Sequence, residues 1–453
     1  MSTARDAAIQ TRYSTVQGRL PVALPLVEST GALVRALWQA PLVYPTVTGN
    51  LVVGLLAGRE EGELEAVSTL TGQAMWSASL PMAKLSVMGL LTGGGVLVVE
   101  LGHGVGYAGE LVVTRDVIYD ATSGRQLWSL NVTEGDKYGP SHQPIAYSQG
   151  VVVTGAASGA LTARNAHTGS VAWRRTRPPS CPQAQGNEYK YAEHVAADGA
   201  LLVASYPCAS PGHEFVLVQR LDPRTGAPLW QWRSIAVAGR SPHSFIELNV
   251  VGAATQGDEV LLNGQVTEAV ARRYARMLPR ARQWPVSLGP TSDGELVLAL
   301  DGRTGKPRWT EIGGQLEEFT LTDGVTCETV NAGFECRNDQ TGLLSRPVLA
   351  ARSEGDAPPY EGDGRAGISG DVAGVVLSQA PSGSVSVAVL PLHGHKVIAR
   401  ATVQLGNTTY RGANEHNFIV GAGPLPGGGT LLLLRRVDIA GYPLVALSVK
   451  LPA

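Results

Sequence analysis

The chain has 453 residues, of which 44% are hydrophobic and 16% are charged, and its formal net charge is −2. This composition argues against nucleic acid as a partner, because binding a phosphate backbone requires a pronounced basic surface. No apolar run reaches about 18 residues, the length that a membrane-spanning helix needs, so no membrane span is predicted. The 55 glycines and 28 prolines favour an all-β fold that is dense in turns.

Residues 1–32 form the first distinct segment, which is polar and lacks the apolar core of a signal peptide. We predict that this segment is a poorly ordered N-terminal extension and that residues 33–453 form one folded unit. The protein is then either cytoplasmic or exported with its leader removed. The cysteines later in the chain favour export.

A repeated phrase organises the folded unit. Its core is a glycine that is followed four residues later by tryptophan, and it occurs at Gly72/Trp76, Gly124/Trp128, Gly169/Trp173, Gly226/Trp230 and Gly305/Trp309. In weaker copies, Arg346 follows Gly342 and Ile398 follows Gly394. The copies are separated by roughly the length of four strands with their turns, which predicts the blades of a β-propeller.

A second marker counts the blades. Turns that precede an apolar strand occur near Gly49, Gly94, Gly150, Gly199, Gly257, Gly324, Gly370 and Gly428. These eight turns predict that eight blades each open at such a turn. The last run, "PLVALSVKLPA", resembles the third strand of a blade, and Trp38 precedes the first blade. We therefore expect residues 33–40 to supply the outer strand of the last blade and to close the ring, which removes exposed sheet edges.

The tryptophans of the phrase are predicted to be structural. They are Trp38, Trp76, Trp128, Trp173, Trp230 and Trp309. We expect each ring to cover the joint between neighbouring blades and its N–H to bond a backbone carbonyl. The turn glycines are expected to have positive φ. Asp120, Asp222 and Asp301 lie in the same turns, where they are expected to bond nearby backbone groups.

The four cysteines fall into two local pairs, Cys181 with Cys208 and Cys327 with Cys336. An even number in paired positions predicts two disulfides and a location outside the cytoplasm, in the periplasm, the cell envelope or the medium. Four unrelated buried thiols are the alternative. Neither pair has the spacing of metal ligands, so no metal site is predicted.

The longest interval between copies of the phrase contains the segment "TEAVARRYARMLPRARQW", which predicts a short amphipathic helix near residues 267–283. Val270, Tyr274, Met277 and Leu278 are expected to form its apolar face. The basic residues, expected to bind a partner, are Arg272, Arg273, Arg276, Arg280 and Arg282. The partner is then an acidic protein or an anionic envelope component. The alternative is that the helix only packs on the propeller and its arginines are merely solvated.

Phrases such as "IYDATSGRQLW" and "LALDGRTGKPRW" resemble the tryptophan-docking repeat of the quinoprotein (PQQ-like) propeller superfamily. That superfamily contains quinone-dependent dehydrogenases and also non-enzymatic members, among them the propeller lipoprotein of the outer-membrane β-barrel assembly machine. The resemblance covers residues 33–453 and implies the propeller fold, whereas docking residues carry no chemistry.

The resemblance leaves two functions open. In the dehydrogenases, pyrroloquinoline quinone with calcium is bound in the central funnel, typically on a disulfide between adjacent cysteines. This sequence has no adjacent cysteines and no obvious run of calcium-binding Asp, Asn and Glu. We therefore expect a non-enzymatic scaffold for protein–protein interactions in the cell envelope, without a cofactor. A PQQ-dependent dehydrogenase is the alternative.

Overall fold

The computed structural model describes residues 27–31, 33–56, 62–80, 86–105, 110–131, 146–155, 159–182, 194–198, 201–210, 212–238, 249–254, 259–278, 294–312, 319–322, 325–330, 333–338, 344–348, 367–369, 372–379, 384–391, 399–404, 417–436 and 444–450. Within these residues the regular structure consists of strands and one helix, α1 (Glu268–Met277). No helix in the described part of the chain is long and apolar enough to cross a membrane.

The described strands form eight small sheets, numbered here in chain order. Sheet 1 contains β3 (Leu42–Thr48), β4 (Leu51–Leu56), β5 (Glu63–Ser68) and β6 (Ala74–Ser79). Sheet 2 contains β7 (Ser86–Gly93), β8 (Val96–Val105), β9 (Glu110–Asp120) and β10 (Gln126–Asn131). Sheet 3 contains β11 (Ala146–Ser148), β12 (Val151–Gly155), β13 (Leu161–Asn165) and β14 (Val171–Arg175). Sheet 4 contains β15 (His194–Asp198), β16 (Leu201–Ser210), β17 (His213–Leu221), β18 (Pro228–Arg233) and the short β19 (Val237–Ala238).

The second half of the chain continues this pattern. Sheet 5 contains β20 (Asn249–Ala254), β21 (Glu259–Val266), β22 (Gly294–Asp301) and β23 (Pro307–Ile312). Sheet 6 contains β24 (Phe319–Thr322), β25 (Val325–Val330), β26 (Gly333–Asn338) and β27 (Leu344–Val348). Sheet 7 contains β28 (Gly367–Ser369), β29 (Val372–Gln379), β30 (Ser384–Pro391), β31 (Ala399–Gln404) and the N-terminal β1 (Val27–Gly31). Sheet 8 contains β32 (Asn417–Pro424), β33 (Thr430–Arg436), β34 (Leu444–Lys450) and β2 (Leu33–Ala40).

Consecutive strands pair antiparallel within each sheet, so the first strand lies at one edge. The first strand of each sheet contacts the first strand of the next sheet, and β32 of sheet 8 contacts β3 of sheet 1. The first strands of neighbouring sheets therefore lie side by side. Many small antiparallel sheets with their first strands side by side are the architecture of a β-propeller.

Four of the predicted turn glycines, Gly49, Gly94, Gly150 and Gly428, lie between the first and the second strand of their sheets. The other four, Gly199, Gly257, Gly324 and Gly370, lie outside the described residues. Gly49 separates β3 from β4, for example, and Gly150 separates β11 from β12. We expect from the sequence that each turn begins a blade, whereas in the structure a strand precedes the turn. One reason is that two of these first strands, β11 and β28, have only three residues and show no clear alternation.

The N-terminal strands join the last two sheets. β2 pairs with β34 along its whole length, from Leu33 opposite Lys450 to Ala40 opposite Leu444. β1 pairs with β31 as a fifth strand of sheet 7. Part of the segment expected to be a poorly ordered extension is therefore a strand, and residues 1–26 lie outside the described residues.

The hydrophobic core lies between adjacent sheets. Leu64 of sheet 1 and Leu97 of sheet 2 belong to one buried cluster, and Val34 of β2 and Val387 of sheet 7 belong to another. Each sheet thus buries apolar side chains mainly against its neighbours. This arrangement lets a chain of this length fold without one large central core.

Candidate interaction surface

Tryptophans link each of five sheets to the next. The indole N–H donates to a backbone carbonyl of the following sheet: Trp38 to Thr69 (2.9 Å), Trp76 to Ala121 (3.0 Å), Trp128 to Ala166 (2.8 Å), Trp173 to Pro223 (2.8 Å) and Trp230 to Gly302 (2.7 Å). Trp309 of sheet 5 is fully buried. Gly342, the glycine of the next copy of the phrase, is outside the described residues.

Each of these five indole rings lies on the turn glycine of the neighbouring sheet. Gly124 has φ +67°, and a Cβ added there would lie 2.4 Å from Cε3 of Trp76. Gly305 has φ +69°, and its Cβ would lie 2.6 Å from Cε3 of Trp230. Glycine is therefore required at these positions for two reasons, the backbone conformation and the close approach of the ring.

The acidic turn residues stabilise the turns, as predicted. The Asp120 carboxylate accepts hydrogen bonds from the backbone N–H groups of Thr122 and Ser123, and Asp301 accepts them from Arg303 and Thr304. Burial favours the neutral form of Asp301, but hydrogen bonds from Arg308 and Thr304 outweigh it and lower the pKa to about 2. The carboxylate is therefore charged at neutral pH and serves the turn rather than proton transfer.

Cys181 and Cys208 form a disulfide, as predicted, with their Cα atoms 4.7 Å apart. It joins the segment after β14 to the end of β16, and so links sheets 3 and 4. Arg177 supports this link by donating from Nε to the Cys181 carbonyl at 2.8 Å, and from its guanidinium to the Pro207 carbonyl. Nothing in the sequence marks Arg177 in advance, because its partners are backbone carbonyls that only the fold brings together.

The second cysteine pair lies across one hairpin, β25–β26, where Cys327 is directly opposite Cys336. The pairing ends at Val330 and Gly333, with two residues between them. The closing pair of a two-residue hairpin is hydrogen-bonded, and the pair types alternate along the ladder. Cys327 and Cys336 therefore occupy a non-hydrogen-bonded position, where Cα atoms lie about 4.5 Å apart, within the range of a disulfide.

We propose that Cys327 and Cys336 form a second disulfide. Alkylation of the unfolded but unreduced protein is then expected to modify no cysteine, and peptide mapping is expected to recover one cross-linked pair from this hairpin. The matched control is the Cys181–Cys208 pair in the same digest. Recovery of alkylated Cys327 or Cys336 next to an intact Cys181–Cys208 link would contradict the proposal.

The helix α1 is fixed to two sheets by its apolar face. Val270, Ala271 and Tyr274 are buried in the core cluster that sheets 4 and 5 share. The Tyr274 hydroxyl accepts a hydrogen bond of 2.9 Å from the backbone N–H of Ile235, which follows β18. Burial is the main cause that raises the pKa of Tyr274 to about 12. The helix is therefore held between sheets 4 and 5 by packing and by this hydrogen bond.

The apolar face differs from the predicted one at Met277. Val270 and Tyr274 are buried as expected and Leu278 is partly buried, but the Met277 side chain is 63% exposed. The buried face is centred on Ala271 and Tyr274, so Met277 lies at its margin in the last turn. The sequence pattern could not show this, because small alanines count little in an amphipathic pattern although they permit the closest packing.

The solvent side of α1 carries a basic face, defined here as Arg272, Arg273 and Arg276, all of them exposed. Arg280 and Arg282, the other predicted partner-binding residues, lie outside the described residues. No acidic residue occurs between Glu268 and Trp284 in the sequence. With Met277 beside it, the surface combines positive charge with an exposed apolar group.

The dehydrogenase alternative implies a quinone site. The sequence has no adjacent cysteines on which a quinone could stack. Within the described residues, no three His, Cys, Asp or Glu side chains come together as ligands for a metal ion.

Comparison with known proteins gives one family. Residues 60–198 and 114–310 match the family model described as outer membrane protein assembly factor BamB. No curated protein sequence matches the chain. The crystal structure of BamB from Moraxella catarrhalis is 14% identical, and the similarity covers 93% of this chain and 100% of that chain at a TM-score of 0.45.

Two further solved structures have TM-scores of 0.50. They are the C-terminal WD40 domain of Sif2 (10% identity, 93% of this chain and 99% of that chain) and the computationally designed Ika8 protein (13% identity, 92% and 99%). At such identities the similarity concerns the fold alone, and WD40 repeats form β-propellers. The two family matches together span residues 60–310, which is more than half of the sequence. The chain therefore belongs to the PQQ-like β-propeller family of the outer membrane protein assembly factor BamB.

Proposed function

We propose that the chain is an eight-bladed β-propeller, closed by β2, that acts as a non-catalytic scaffold for protein–protein interaction outside the cytoplasm. Support for the ring comes from the eight described sheets, from the contacts between successive first strands, and from the β2–β34 pairing. Each sheet is then one blade. In sheets 1–6 the fourth strand is the outer one, and in sheet 8 it is β2.

One observation carries the scaffold role: α1 is anchored rigidly while its basic face points to solvent. A helix that served stability alone would need only the buried Val270, Ala271 and Tyr274. Three exposed arginines and the exposed Met277 lie outside that buried face. Arginine and methionine are enriched in protein interfaces, where a preformed surface binds at low entropic cost.

The partner that fits this face is an acidic protein segment with an apolar side chain to cover Met277. Opposite charges accelerate encounter and suppress wrong partners, whereas the apolar contact supplies affinity. The Cys181–Cys208 disulfide supports a compartment outside the cytoplasm, because the cytoplasm keeps thiols reduced. The matched family description, an outer membrane assembly factor, supports the cell envelope as the setting.

The test is photo-cross-linking in the source organism, with a benzophenone amino acid in place of Met277. We expect one discrete protein adduct, which charge reversal of the basic face (R272E, R273E and R276E together) reduces by about tenfold. The matched control reverses Arg125, Arg224 and Arg303, which are exposed in the turns before the outer strands. This control has the same change in charge and is expected to keep the adduct.

Two outcomes would contradict the scaffold proposal. The first is an absence of any adduct at position 277, or an adduct that survives charge reversal of the basic face. The second is saturable binding of pyrroloquinoline quinone with calcium to the purified protein, with dye reduction in the presence of an alcohol. The second outcome would establish the dehydrogenase alternative.

A further inference from the structure

Two buried polar groups lie on the face of sheet 2 that packs against sheet 1. Tyr119 is only 2% exposed and belongs to the apolar cluster that the two sheets share. Its hydroxyl has no hydrogen-bond partner in the described part of the chain, and neither has the buried Nε of Arg115. Buried polar groups are hydrogen-bonded in the great majority of cases, so these two exceptions require an explanation.

The two groups lie near each other in the joint between the sheets. Strand alternation places Arg115, Val117 and Tyr119 of β9 on one face. The Arg115 nitrogen Nη2 donates a hydrogen bond of 3.0 Å to Oγ of Ser129. Ser129 is paired with Val117, so Arg115 extends along this face towards the tyrosine. Burial raises the pKa of Tyr119 to about 12, and the nearby positive charge of Arg115 acts in the opposite direction.

The described acidic side chains of the neighbouring strands lie elsewhere. Glu100 and Asp116 alternate with residues of the shared cluster and lie on the other face of sheet 2, directed to sheet 3. Glu63 and Glu65 lie on the face of sheet 1 that is directed away from sheet 2. Asp120 is bonded to its own turn. Among the described residues, the guanidinium is therefore not matched by an acid on this face.

The opposite wall of this joint has a small residue where two other joints have a large one. Ala78 follows the docking residue Trp76 by two positions and packs against the shared cluster. The corresponding residue between sheets 3 and 4 is Arg175, which donates to a carbonyl and to a side-chain amide of sheet 4. Between sheets 4 and 5 it is Trp232, which packs on the core cluster there. The joint of sheets 1 and 2 is thus filled less completely by its own side chains.

We propose that Arg115, Tyr119 and Ser129 form a binding site for a carboxylate group between sheets 1 and 2. A carboxylate has one negative charge for the one positive charge of this site, and its two oxygens fit the fork of a guanidinium. The tyrosine hydroxyl is a further donor at the buried end. Ser129 is exposed, so the site opens to solvent at the outer strand β10. A phosphate is disfavoured, because it carries more charge than the single cation that the described residues of this face supply.

The carboxylate belongs either to a small molecule or to an acidic side chain of a polypeptide, since both present the same group. The site lies in a different joint from α1, which is held between sheets 4 and 5. The proposal therefore goes beyond the scaffold role and does not depend on it.

Tyr119→Phe separates binding from structure. It keeps the buried ring and removes a hydroxyl that has no partner within the described residues, so thermal stability is expected to stay equal or to rise. The affinity for a carboxylate is expected to fall about fivefold, the effect of one lost hydrogen bond. The matched control is Arg125→Gln, which removes an exposed arginine from the turn before β10 and is expected to keep the affinity.

The test follows the Nε–H signal of Arg115 by NMR in protein with isotope-labelled arginine, and Arg115→Gln identifies that signal. The probes are acetate, the peptide N-acetyl-Gly-Asp-Gly-amide, its neutral Gly-Asn-Gly analogue and inorganic phosphate, each at constant ionic strength. We expect a saturable shift with acetate or with the Asp peptide, at equal affinity in Arg125→Gln and about fivefold lower affinity in Tyr119→Phe. A shift with acetate alone identifies a small molecule as the source of the carboxylate, and tighter binding of the Asp peptide identifies a polypeptide.

Five results would overturn the proposal. They are no saturable shift with either carboxylate, an equal shift with the Asn peptide, tighter binding of phosphate than of acetate, unchanged affinity in Tyr119→Phe, and a marked loss of stability in that variant. Charge reversal of the basic face of α1 is expected to leave the shift unchanged, so this proposal and the scaffold proposal fail independently.

Discussion

Deletion of residues 1–40 is expected to abolish cooperative folding and to give soluble aggregates or inclusion bodies. The deletion removes β2, which pairs with β34 along its full length and buries Val34, Trp38 and Ala40. It also removes the bond from Trp38 Nε1 to the Thr69 carbonyl, which joins sheet 8 to sheet 1. Loss of the buried side chains of Val34 and Trp38 alone is expected to lower the free energy of unfolding by about 5 kcal/mol. This is comparable with the whole stability of a typical domain.

Aggregation is expected because the deletion bares the edge of β34, in which Leu444 to Val449 are all buried in the intact protein. An exposed, long and apolar edge strand is a template for pairing with other chains. Size-exclusion chromatography with light scattering and calorimetry would measure the loss of the monomer and of its unfolding transition.

A circular permutant is the control for this deletion. Residues 27–40 are moved behind Ala453 through a short linker, so that β2 can still run antiparallel to β34. Because the permutant restores the same pairing, we expect a monomer with a cooperative transition. Deletion of residues 1–26 alone keeps every described strand and is expected to fold. A folded monomer after removal of residues 1–40, or a permutant that fails to fold, would contradict closure of the ring by β2.

The sequence predicted the joints between sheets well because both partners of each joint must be specific residues at a fixed separation. The ring of Trp76 can lie on the turn at Gly124 only if that position has no side chain. The pairing of β2 with β34 was also predictable, because Trp38 occupies the joint position without a preceding blade. Such constraints fix the residue type at given sequence positions and recur along the chain, so they can be recognised in the sequence.

Other features depend on pairing that no local pattern shows. β1 has the sequence Val-Glu-Ser-Thr-Gly, which lacks the alternation of apolar and polar residues typical of a strand. It forms a strand because it pairs with β31 at the edge of sheet 7. The β-bulge at Tyr44 depends on the register of β3 against β4. Gly54, inside an otherwise apolar strand, was its only signal in the sequence. The exposure of Met277 likewise depends on how close Ala271 approaches sheets 4 and 5.

Replacement of Gly124 by alanine is expected to destabilise the protein by about 3 kcal/mol, because it adds overpacking to backbone strain. The new Cβ would lie 2.4 Å from Cε3 of Trp76, a ring that is only 4% exposed and bonded to the Ala121 carbonyl. The ring cannot move away without losing that bond and its packing between sheets 1 and 2. Urea unfolding followed by circular dichroism would give the change in the free energy of unfolding.

Gly49→Ala isolates the backbone contribution. Gly49 has φ +58°, close to the value at Gly124, but a Cβ there would meet nothing within 4 Å. We therefore expect a loss of only about 1 kcal/mol, the cost of a left-handed non-glycine residue. The difference of roughly 2 kcal/mol between the two variants is then the steric contribution of the indole contact.

A double-mutant cycle decides whether the indole is responsible. Trp76→Ala alone is expected to cost about 3–5 kcal/mol, through the cavity and the lost hydrogen bond. In the double variant the alanine at position 124 no longer meets a ring. We therefore expect the double variant to lose about 2 kcal/mol less unfolding free energy than the sum of the two single variants. Additive losses would mean that the strain at Gly124 lies in its backbone alone. The fixed spacing of glycine and tryptophan would then be a property of the turn, and the joint between blades would depend on the hydrogen bond rather than on the close packing of the ring.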